Sequence, residues 1–223
     1  MPFFEPESPS PAEEPAETER VWLPPRWDRP SEGTLPAVVG VSRLFGRTEN
    51  AAFALDHLRV YPNGFQLVLS IVTSPRLPPE MHMGSFTTLS LIATSETTPP
   101  EKGDAAPPPR SAPVRPRGRG VFEMAPRVGI RFSNGQTAGN GPQSMFDVPK
   151  DDDGVPTQPV IVGSGGGGGG GHYRFEHWVF PLPPPGPLEV FAQWPVADIG
   201  ETSIVLSGDD VRAAARNAIV LWS

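Results

Sequence analysis

A chain of 223 residues can enclose one sizeable core, and its 37% hydrophobic content is held down by 31 prolines and 24 glycines that gather in tails and loops. The lack of cysteine excludes disulfides, thiolate nucleophiles and thiolate metal centres, and a formal charge of −7 argues against general affinity for nucleic acid, whose phosphates require positive surface. The N-terminus has neither the basic start nor the apolar stretch of a secretion signal, and no run reaches the ~18 apolar residues of a membrane span, so the expectation is a soluble cytoplasmic protein with no membrane partner.

Residues 1–20 hold six glutamates and five prolines, too little apolar surface to offset chain entropy, and read as a disordered acidic tail before a single β-rich domain over 21–223. In VWLPPRWDRP, Pro24 and Pro25 impose an extended strap on which Trp22 and Trp27 are large anchors, for the domain itself or for a partner. Strand signals follow. Ala37–Phe45 reads as one strand, and Phe53–Tyr61 with Phe65–Val72 as a hairpin around Pro62-Asn63-Gly64. Phe65, Leu67, Leu69 and Ile71 fall on one face at period two, which specifies a buried side. Phe86–Ala93 is a further expected strand, rich in Thr and β-branched residues.

From Thr94 to Gly120 hydrophobic periodicity vanishes, and the segment reads as a disordered Pro/Arg insertion between strands. Arg115, Arg117 and Arg119 make it basic where the N-terminal tail is acidic, so the two are candidate interaction segments. Nucleic-acid contact by these arginines is disfavoured, because no aromatic stacking platform lies beside them. Arg127–Phe132 resumes as a strand closed by an Asn134-Gly135 hairpin turn. Val160–Val162 reads as a short strand, residues 163–171 as a slack polyglycine loop, and His172–Trp194 as an aromatic hairpin around the proline-glycine turn. Trp178 and Phe180 on that hairpin are further candidate anchors. Val211, Ala215, Ala218 and Trp222 recur at helical spacing, which predicts one amphipathic helix over Gly208–Val220, capped by Ser207 and favoured by Asp209 and Asp210 in its first turn. Eight or nine strands and a terminal helix predict a mainly β fold, an antiparallel sandwich or irregular barrel.

Catalytic patterns are weak. In a strand His172 and Glu176 share a face while His177 points to the other, so HxxxEH does not reproduce the helical zinc motif. Asp151, Asp152 and Asp153 lack the alternation of a calcium loop, which leaves a solvated turn or a weak cation site. The glycine run has no Gly-Lys-Ser/Thr ending and no helix behind it, and no G-x-S-x-G elbow is present. No metal, cofactor or catalytic set is therefore assigned.

The segments HWVFPLPPPGPLEVFAQWPVADIGET and GDDVRAAARNAIVLW, with weaker echoes in LDHLRVYPNGFQL and VGIRFSNGQ, resemble a group of all-β proteins of high-GC actinobacteria. The resemblance covers about the last third of the chain and implies an all-β fold in a bacterial setting. It carries no activity and no functional residue. The expected function is a non-enzymatic interaction or assembly module that binds a protein partner or itself. The alternative is a ligand-binding or hydrolytic domain with a pocket between the sheets, using His172, Glu176 and the loop at Asp151–Asp153.

Overall fold

The structure is a computed structural model that describes residues 27–74, 125–141 and 148–222. Trp22, Arg115, Arg117, Arg119, the acidic tail, the expected strand Phe86–Ala93 and the insertion 94–120 lie outside the described residues. In chain order the strands are β1 (Thr34–Leu35), β2 (Ala37–Arg47), β3 (Ala51–Tyr61), β4 (Gly64–Thr73), β5 (Arg127–Arg131), β6 (Thr137–Gly139), β7 (Val160–Gly169), β8 (His172–Phe180), β9 (Pro187–Trp194) and β10 (Ile199–Ser207). Helix α1 (Gly208–Ala215) and strand β11 (Ile219–Val220) close the domain.

Among the described residues these strands form three antiparallel sheets, ordered β2-β3-β4-β8-β7, β10-β9-β5-β6 and β1-β11. None of them closes into a barrel. The two larger sheets enclose one core. Phe53, Leu55, Leu58 and Val60 on β3 and Phe65, Leu67, Leu69 and Ile71 on β4 meet Val128, Ile130, Leu188, Val190 and Ala192 of the four-stranded sheet. Removing each such side chain from water contributes on the order of 2 kcal/mol, so the alternation read from β4 sets which face turns inward.

Helix α1 adds Val211 and Ala215 to this core, and Ser207 caps it as expected, its Oγ accepting from the Asp210 amide at 3.1 Å. The helix stops at Ala215, short of the expected Val220. Beyond it the chain turns through Arg216 and Asn217, and β-branched Ile219 and Val220 pair with β1 instead.

Two further expectations are corrected. Residues 172–194 are not a hairpin: β8 pairs with β4 and β7, whereas β9 pairs with β5 and β10 in the opposite sheet. Both strands carry an apolar inner face, and the proline-rich residues 181–186 arch across the core between them, since prolines cannot donate to a shared ladder. The glycine run is not a slack loop either. Gly163–Gly169 continue β7 along β8, and Gly170 and Gly171, at φ of 60° and 86°, make the turn into β8. Two successive left-handed residues are what a tight two-residue hairpin requires, and glycine adopts them without a Cβ penalty.

Candidate interaction surface

The outer face of the five-stranded sheet carries a second, smaller buried cluster. In register, Arg59 of β3 faces Gln66 of β4, which faces Trp178 of β8. Trp178 is fully buried, packs edge-on to Tyr61 with centroids 5.8 Å apart, and donates its indole N–H to the Trp27 carbonyl at 2.8 Å. Gly64 leaves room for it, because a Cβ there would lie 2.6 Å from the Trp178 ring. Buried Gln66 donates to Ser164 Oγ at 3.2 Å and accepts from the Tyr61 hydroxyl at 3.4 Å, so its amide is satisfied at both ends. Burial pushes the Tyr61 phenol above its usual range. The strap around Trp27 thus covers a packed aromatic patch, with Lys150 Nζ held 5.0 Å from the Trp27 ring centroid.

This geometry corrects the reading of Trp27 and Trp178 as exposed anchors: both are buried, and Phe180 is half-buried. Glu176 shares the outer face with His172, as the spacing predicts, but its carboxylate is engaged by Arg59 at 3.0 Å. His172 is exposed at the end of β8, opposite Val72. Asp151, Asp152 and Asp153 form an exposed turn in which Asp151 Oδ1 accepts from the amides of Asp153 and Val155, at 3.1 and 2.8 Å. No group of three or more His, Asp or Glu side chains with metal-binding geometry occurs among the described residues.

A polar cluster that the sequence reading missed lies beside the bulge in β3, where Asp56 is the extra residue between Leu55 and His57. Ser70 Oγ donates to Asp56 Oδ2, and burial, with Arg59 beside it, lowers the His57 pKa from its ordinary value. The hydrogen bond ties the Ser70 hydroxyl to a carboxylate on the neighbouring strand. An open trough lined by Arg127, Gly129, Phe191, Gln193 and Glu201 lies on the outer side of the four-stranded sheet. Between the sheets the described apolar side chains form one buried cluster.

Among the described residues five of the nine exposed large hydrophobic side chains lie at the β1–β11 ribbon and the two residues after it, and Val38, Leu44, Val72 and Val205 lie elsewhere. Leu35, Ile219, Val220 and Leu221 are all exposed, and Trp222, expected on the buried side of a helix, is 74% exposed. Pairing of Leu35 with Ile219 and of Thr34 with Val220 makes these residues contiguous, and the indole of Trp222 lies against Gly33. Protein-family models, curated protein sequences and solved structures contain no match to this chain. Among the described residues no helix is long and apolar enough to cross a membrane.

The ribbon also has open backbone. The Leu221 amide donates to the Gly33 carbonyl at 2.7 Å, and amides alternate in direction along a strand, so Val220 and Trp222 present theirs away from β1. Neither residue of β11 is charged or proline, and among the described residues no further strand pairs with its outer edge. A signal for this surface exists in the sequence, since Asn217 two residues beyond the helix and the β-branched Ile219-Val220 favour a helix stop followed by a strand.

Proposed function

We propose that the protein is a non-enzymatic β-sandwich that assembles with a second copy of itself through the β1–β11 ribbon. The observation that carries this reading is Trp222, 74% exposed two residues beyond the end of an uncharged strand pair whose Leu35, Ile219 and Val220 are exposed with it. Large aromatic residues of this kind dominate interfaces, and soluble proteins rarely leave such groups clustered in water. A ribbon of two strands with two residues each is too small to be stable alone, whereas antiparallel pairing of β11 with its symmetry mate makes a four-stranded sheet. A two-fold axis makes that contact self-complementary and closed. Among the described residues the inner faces of the two sheets pack as one buried apolar cluster, which supports this reading over a pocket between them.

Sedimentation equilibrium of the full chain across the micromolar range tests it. A monomer–dimer equilibrium that Trp222→Ser abolishes, with circular dichroism unchanged, is the expected outcome. A wild-type chain that stays monomeric throughout refutes self-assembly and leaves the ribbon to a different protein partner.

A further inference from the structure

His177 faces the interior from β8, opposite Leu67 of β4 and Gly163 of β7, and meets Asn140 from the other sheet. Asn140 is bonded on three sides. Its Oδ1 accepts from the Val128 amide at 2.9 Å, and its Nδ2 donates to the Pro126 carbonyl at 3.2 Å and approaches His177 Nε2 at 3.2 Å. The first two contacts fix which end of the amide is oxygen, so the group facing the imidazole is a donor. Nε2 must then accept, and the ring proton resides on Nδ1. That nitrogen is buried and has no hydrogen-bond partner.

We propose that His177 and Asn140 form a proton-operated latch between the two sheets, closed while the imidazole is neutral and released when it takes up a proton. A second ring proton sits on Nε2 and confronts the Asn140 N–H. To offer oxygen instead, the amide must turn over, which breaks its bonds to Val128 and Pro126 and frees the start of β5. Proton uptake therefore acts on the joint between β5 and β8, not only on one side chain.

Among the described residues the surroundings give the charged ring nothing to pair with. β4, β6 and β7 contain no ionisable residue; Arg174 and Glu176 of β8 lie on the opposite face; Arg127 and Arg131 of β5 are exposed. Burial alone lowers the His177 pKa from 6.5 to about 4, so the latch stays shut through the ordinary range of the residue and opens only in acid.

Nitrogen-15 NMR of the full chain, following the His177 ring, the Val128 amide and the Asn140 side-chain amide against pH, tests the proposal. The expected result is an Nδ1–H tautomer at neutral pH, and one shared midpoint near 4 for all three signals. In His177→Phe the Val128 and Asn140 transitions should vanish. If that variant does not fold, the tautomer and the shared midpoint in wild type decide. An Nε2–H tautomer, a Val128 transition that persists in His177→Phe, a His177 midpoint near 6.5, or loss of every amide signal together with His177 protonation would each overturn it.

Discussion

Trp178 and Trp222 are the same side chain in two opposite situations. Trp178 stands in the middle of β8, is fully buried, and has its indole N–H bonded to Trp27; Trp222 follows a two-residue strand and is 74% exposed. Both sit in apolar runs, so hydrophobic content does not separate them. What separates them is register and backing: Trp178 lies across a five-stranded sheet under a strap, and Trp222 follows a two-stranded ribbon that leaves it exposed among the described residues. An aromatic residue becomes core where several strands and a cover converge on it, and becomes surface where the sheet is too small to bury either face.

The largest effect that sharpens this contrast comes from truncating the buried partner. Trp178→Ala should cost about 3–5 kcal/mol in urea denaturation, because a cavity is left where Tyr61, Gln66 and Trp27 now pack. Acid comes next. His177 has its pKa lowered in the fold, so the unfolded chain binds the proton first as pH falls; stability is complete above 6.5 and declines toward about 4. The full loss amounts to about 3 kcal/mol, and His177→Phe should flatten that part of the stability–pH curve.

Gly64→Ala presses a methyl against the Val179 backbone carbonyl and the Trp178 ring and should cost about 1–3 kcal/mol, measured as a lower thermal midpoint. At the other end of the comparison, Trp222→Ser should leave the stability of the monomer within about 0.5 kcal/mol while removing association. A large loss of monomer stability in this last variant would break the contrast and make Trp222 a core residue.

Much of the fold is legible in the sequence, and the exceptions have physical reasons. The period-two face of β4, the Asn134-Gly135 turn and the Ser207 cap are local signals, and the structure forms each of them. Pairing between distant strands is not a local property. Nothing within His172–Trp194 says that its two halves join different sheets, because an aromatic strand reads alike whether its partner lies beside it or across the core. The glycine strand was hidden for another reason. Glycine has low strand propensity, and β7 is held in place by its ladder to β8, which periodicity cannot report. The ribbon was obscured because Trp222 fits the helical spacing of Val211, Ala215 and Ala218, although the helix ends at Ala215.

The most direct measurement is amide hydrogen exchange at low and high protein concentration, read at Val220 and at the Trp178 indole N–H. If the ribbon is the assembly surface and Trp178 belongs to the monomer's core, protection at Val220 rises with concentration while Trp178 stays equally protected at both. Unchanged exchange at Val220, or concentration-dependent exchange at Trp178, would contradict the account.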